Sequence, residues 1–130
     1  MSYTLDVTVD GTFDNVVDET VDALEEEGFG VLCDIDVQAT LAKKLDADFR
    51  NYRILGACNP PLAKQALETE TRLGALLPCN VIVYETDDGD VGVSAVDPGE
   101  LLSVVDNPEL DEVATDVGER FERVLGELGA

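Results

Sequence analysis

Histidine is absent from this chain, so no Ser-His-Asp or Cys-His arrangement can activate a nucleophile and no histidine can ligate a metal. The thiols that remain are Cys33, Cys58 and Cys79. Two of them have similar settings, Ala57-Cys58-Asn59 and Pro78-Cys79-Asn80. If the segments carrying them are antiparallel neighbours, the two cysteines meet, and if they are parallel neighbours, the cysteines fall at opposite ends. When they meet, thiols near a helix N-terminus can have lowered pKa values and serve as a redox pair or as soft-metal ligands, which makes Cys58 and Cys79 the metal candidates. Two cysteines do not complete a tetrahedral site, although two copies of the chain would supply four. The competing account is packing, with both as small buried residues against a helix. Cys33 lies in an alternating apolar run and reads as a core residue.

Charge offers the second route to chemistry. The chain has 29 acids, 8 bases and a net charge of -21. Six of the bases (Lys43, Lys44, Arg50, Arg53, Lys64, Arg72) fall within positions 43–72. From Asn51 to Val83 the only acids are Glu68 and Glu70, against Arg53, Lys64 and Arg72, so this segment is +1 and the rest of the chain -22. Burial in sheet and helix accounts for missing acids but not for the bases. Beside a capped helix start, such a cluster can form an anion site from free N–H groups and the positive end of the helix dipole. The resulting candidate set for a small anionic ligand is Arg53, Cys58, Asn59, Lys64, Cys79 and Asn80.

Other chemistries find less support. Carboxylate pairs are inevitable among so many acids, which discounts a glycosidase reading. Asp87-Asp88-Gly89-Asp90 lacks the ligand spacing of an EF-hand loop, and neither a G-x-G-x-x-G nor a Walker pattern is present. No cofactor is indicated. So few bases on so acidic a surface speak against nucleic acid and against anionic membranes as partners. Acids spread through several segments fit a surface adapted to concentrated salt, as in a halophile that accumulates salt in its cytoplasm. Met1 leads straight into a polar alternation, and no apolar run approaches 18 residues, so a cytoplasmic location with reduced thiols is expected.

Periodicity supplies the elements that must position these residues. At 130 residues the chain fits a single domain, 1–130, and with 45% hydrophobic but 5% aromatic residues its core must be aliphatic. Tyr3, Leu5, Val7 and Val9 alternate with polar residues as a half-buried strand does. Thr12 caps a helix with the stripe Phe13, Val16, Val17, Val21 and Leu24, stopped by Gly28. Phe29–Val37 alternates again, Gln38–Leu45 reads as a short helix and Tyr52–Cys58 as a third strand. Asn59 and Pro60 suit the N-cap and first turn of a helix bearing Leu62, Ala63, Ala66 and Leu67. Cys79–Glu85 and Val91–Val96 are strands joined by a hairpin for which Asp88-Gly89 suits a type I′ turn. Asp97-Pro98 starts a short helix or turn. Asn107-Pro108 opens a last helix with the stripe Leu110, Val113, Val117, Phe121, Val124 and Leu128. The order β-α-β-β-α-β-β-α predicts an α+β, two-layer α/β sandwich, a mainly antiparallel sheet of about five strands with helices on one face. Its uncovered face makes a homodimer the default.

The runs Tyr52-Arg53-Ile54-Leu55-Gly56-Ala57-Cys58-Asn59-Pro60-Pro61-Leu62-Ala63 and Leu76-Leu77-Pro78-Cys79-Asn80-Val81-Ile82-Val83-Tyr84-Glu85, with Gly28-Phe29-Gly30-Val31 and Asp97-Pro98, resemble the domain of unknown function 302 family. The resemblance covers nearly the whole chain. It implies a compact two-layer fold with an antiparallel sheet, commonly a dimer, and no established enzymatic activity. Cys58 and Cys79 match that family's two cysteine positions, while Cys33 lies outside its pattern. Three readings follow: a small-ligand binding domain, a thiol-based redox or metal-binding protein, and a structural dimer module.

Overall fold

A computed structural model describes residues 2–129. The elements are β1 (Thr4–Val9), α1 (Phe13–Glu26), β2 (Gly30–Asp36), α2 (Val37–Leu45), β3 (Tyr52–Cys58), α3 (Pro60–Thr69), β4 (Cys79–Glu85), β5 (Val91–Val96), α4 (Pro98–Ser103) and α5 (Asp111–Leu128). Short 3₁₀ segments, Thr71–Leu76 and Pro108–Leu110, precede β4 and α5. One five-stranded sheet runs in the order β1-β5-β4-β3-β2 with every neighbouring pair antiparallel. This is the α+β architecture that the strand and helix periods predict.

Paired residues share a face of the sheet and consecutive residues alternate. Leu55, Val81 and Ala95 form one buried row and Val83 and Val93 another, covered by Val16 and Leu24 of α1 and by Val117, Phe121 and Val124 of α5. The last helix, with Leu110 of the 3₁₀ segment before it, buries the whole apolar stripe seen in the sequence. Phe121 is fully enclosed and stacks on Phe29 with ring centroids 4.9 Å apart.

Local chemistry sets the helix ends. The Thr12 side chain accepts the Asn15 N–H at 3.3 Å, and Gly28, at φ 86° in the left-handed region, ends α1 so that the Phe29 N–H reaches the Leu24 carbonyl. Arg120 of α5 donates to the Glu27 carbonyl at 2.6 Å and to Asp116 at 2.6 Å, while Arg123 donates to the Glu27 carboxylate at 3.0 Å. Two of the few bases therefore close the C-terminal end of α1, where its exposed carbonyls favour positive charge.

Two expectations are corrected. Cys33 is exposed instead of buried in the core. Val31 pairs with Ala57 but Cys33 pairs with Gly56, because a bulge at Leu32 inserts one residue and reverses the alternation for the rest of β2. The β4–β5 turn is not type I′, which needs positive φ at both central residues. Only Gly89 has it, and the Gly89 N–H bonds to the Thr86 carbonyl at 3.1 Å, the geometry of a three-residue loop closed by a glycine bulge.

The face opposite the helices is uncovered by α1 and α5. Ile35, Ile54, Ile82, Ser94 and Asp6 form one row across all five strands. Beside it Tyr52 stacks on Tyr84, centroids 5.9 Å apart, and Phe49 packs on Tyr52 at 6.1 Å. The Tyr84 ring lies over Gly92, where a methyl group would stand 2.6 Å from it.

Candidate functional site

The antiparallel pairing of β3 and β4 brings the two Cys-Asn motifs to one end of the sheet, with Ala57 opposite Cys79 and Gly56 opposite Asn80. Cys58 pairs on its other side with Gly30. By strand alternation Cys79 shares the helix-covered face with Ala57, and Cys58, one residue on, is directed to the other face. The two motifs are neighbours, but their thiols leave the sheet on opposite sides.

On the helix side these strand ends border a cavity of about 50 Å³. Cys58, Asn59 and Cys79 contribute to its wall, and α3, α4 and α5 complete it with Leu62, Ala66, Leu102 and Val117 among others. Apart from Asn59 and the two cysteines the lining is hydrophobic. Asn59 is buried, and its side-chain oxygen accepts the Leu62 N–H at 3.3 Å. The Ala63 N–H goes to the Asn59 carbonyl at 2.8 Å, and Pro60 and Pro61 have no N–H to give. The start of α3 is thus left without a free donor for an anion.

The remaining sequence candidates lie apart from this cavity. Arg53 is at the far end of β3, where its guanidinium takes Asp34 through both Nε, at 2.7 Å, and Nη2. That hydrogen bond, with the surrounding carboxylates, raises its pKa further. Lys64 is exposed on α3 and pairs with Glu68 at 3.0 Å. Asn80 is exposed on the outer face of the sheet. Of the six candidates, then, Cys58, Asn59 and Cys79 come together, and Arg53, Lys64 and Asn80 do not join them.

Cys33 is the residue that sequence reasoning missed. A methyl group at Gly56 would stand 2.5 Å from the Cys33 sulfur and 2.8 Å from the Pro78 ring, so the absence of a side chain at Gly56 is what lets that thiol lie across β3. Cys33 and Cys58 are consequently on the same, outer face. No group of three or more Cys, Asp or Glu among the described residues is arranged to hold a metal ion.

Burial, and secondarily the nearby Cys58, push the Cys79 thiol up to about 11. At pH 8 its thiolate fraction is then about one in a thousand, against about a quarter for an ordinary thiol. A disulfide-exchange reagent at that pH is expected to titrate Cys33 within its mixing phase and to leave Cys79 unmodified until the protein is denatured. Rapid reaction of all three thiols in the native protein would contradict this assignment.

The family model described as domain of unknown function DUF302 matches residues 5–128. A crystal structure of an uncharacterized conserved DUF302 protein from Bacillus stearothermophilus is similar to this chain, with 29% sequence identity and a TM-score of 0.92 over 98% of this chain and 99% of that one. No curated protein matches the chain.

Proposed function

The chain belongs to the DUF302 family, a domain of unknown function, and from that premise we propose that it binds a small uncharged molecule at the cavity beneath α3. The observation that carries this reading is the hydrophobic cavity bounded by Cys58, Asn59 and Cys79. Paired bases and a donor-free helix start argue for a neutral ligand over an anionic one. At about 50 Å³ the space holds little more than one or two water-sized groups. Admission therefore requires α3 to shift, and that helix buries only Ala66.

Thermal denaturation in concentrated salt tests it, with indole and short alcohols compared against inorganic phosphate and nucleotides. A ligand present at a hundredfold excess over its Kd stabilises by about 2.7 kcal/mol. Stabilisation by an uncharged compound that disappears in Ala66→Phe, which fills the space, supports the reading. Stabilisation by phosphate alone, or by no compound in the panel, defeats it.

Thiol chemistry is the second reading. The exposed Cys33 and the half-buried Cys58 on one face favour it, with these two as the soft-metal ligands and Cys79, on the opposite face, outside the set. Repeating the thiol titration with Zn²⁺ decides it: unchanged reactivity and no bound metal would end this reading. We further read the acidity as adaptation to the salt-rich cytoplasm of a halophile. No helix among the described residues is long and apolar enough to cross a membrane.

A further inference from the structure

Given that the cavity beneath α3 takes an uncharged molecule, the reading on which this one rests, we infer that its ligand is a small carbonyl compound without O–H or N–H groups, such as a ketone or an ester. The residue that selects it is Asn59, which lines the cavity and is 8% exposed. Its side-chain oxygen accepts the Leu62 N–H, which fixes the other end of the amide as the NH₂ group. That nitrogen donates to no described residue. No side-chain nitrogen or oxygen among the described residues is both sealed from solvent and unpaired, so the amide nitrogen of Asn59 keeps a patch of open surface.

The nitrogen faces the corner where α1 leads into β2. A methyl group on Gly28 would stand 3.0 Å from it and 3.4 Å from Arg120 Nη1, so the bare backbone of Gly28 keeps this corner open. Phe29, the next residue, forms part of the cavity wall. The carbonyls at the corner are already taken: the Phe29 N–H goes to Leu24 at 3.0 Å, the Gly28 N–H to Glu25 at 3.0 Å and the Arg120 guanidinium to Glu27. Asp116 pairs with Arg120, so no further negative charge is called for. The rest of the wall adds no strong acceptor, because its side chains are hydrocarbon apart from two thiols, and a thiol accepts weakly. An oxygen that only accepts is therefore matched by the Asn59 donor. A hydroxyl or N–H on the ligand instead brings in a donor with no partner, which lowers affinity by about tenfold or more.

Titration of cyclopentanone and cyclopentanol, which share a carbon skeleton, into the protein in concentrated KCl is the test, followed by NMR. The ketone is expected to bind at least about tenfold more tightly than the alcohol and to shift the Asn59 side-chain amide resonance. Asn59→Asp keeps an N-cap acceptor for the Leu62 N–H but exchanges the donor for a second acceptor. With that aspartate ionised, the preference should vanish or turn to the alcohol. Asn59→Ser, which also caps, should bring the two Kd values together. Because either variant can lose stability, the wild-type ratio stands as an independent readout. Equal affinities in the wild type, tighter binding of the alcohol, or a ketone preference that survives in both variants would overturn the inference while leaving the cavity as a site for uncharged molecules. Ketone binding that persists in Ala66→Phe would place it elsewhere and overturn the inference too. Binding of neither compound would end it, and if indole and the short alcohols also fail, the broader reading falls with it.

Discussion

Transfer from 1 M to 0.1 M salt is expected to remove most of the stability of this domain at neutral pH. Two carboxylates 10 Å apart repel by about 0.4 kcal/mol in unscreened water. Screening multiplies that by about 0.4 at 0.1 M and by about 0.04 at 1 M. A few tens of such pairs on a surface of net charge -21 therefore add roughly 5 kcal/mol of repulsion at the lower salt, comparable with the whole stability of a small domain. Thermal or urea unfolding across a KCl series measures it, and a midpoint that does not move with salt would refute the halophilic reading.

Repulsion between carboxylates also sets the sign of the pH effect. A hydrogen bond to Glu26, repulsion from Glu26, slight burial and repulsion from Glu27 raise the Glu127 pKa. The folded state then holds that proton more tightly than the unfolded chain does. Its contribution is present below the ordinary glutamate value and is lost as pH rises through the raised one. Low-salt instability should therefore ease on mild acidification.

Phe121→Ala is expected to cost about 3–5 kcal/mol, because the ring is fully buried and its removal leaves a cavity as well as forfeiting transfer energy. Its stacking partner Phe29 belongs to the segment that leads out of α1 into β2, so the loss also loosens the closure of α1. Denaturant unfolding in concentrated salt is the measurement. Phe121→Leu should recover most of the difference, and a cost below about 1 kcal/mol for the alanine variant would mean that the core closes around the gap.

Much of this architecture is written in local signals. Tyr52–Cys58, Cys79–Glu85 and Val91–Val96 are strands at the boundaries their alternation marks. Asn59 and Pro60 start α3 where their backbone preferences place them. What periodicity could not reveal was the bulge at Leu32. One inserted residue moves Cys33 from the expected core to the outer face, and no residue type in β2 announces it. The candidate site was legible only in outline. Antiparallel neighbours bring the Cys-Asn motifs together, but the one-residue offset between Ala57↔Cys79 and Gly30↔Cys58 decides which thiol faces the helices. That offset is set by pairing across strands, which a single chain's pattern does not contain. Likewise, Asn59 and the two prolines signalled a capped helix correctly, yet the same residues consume or lack the donors that an anion would need.

The strand order also has a temporal meaning. β2, β3, β4 and β5 are successive neighbours, so they can assemble by pairing segments close in the chain. β1 must instead find β5, with Leu5 against Ala95, which closes the chain from residue 5 to residue 95 into a loop. Loop closure over such a separation makes β1 the late arrival in folding. On a ribosome the first strand synthesised waits, unpaired, for the last one.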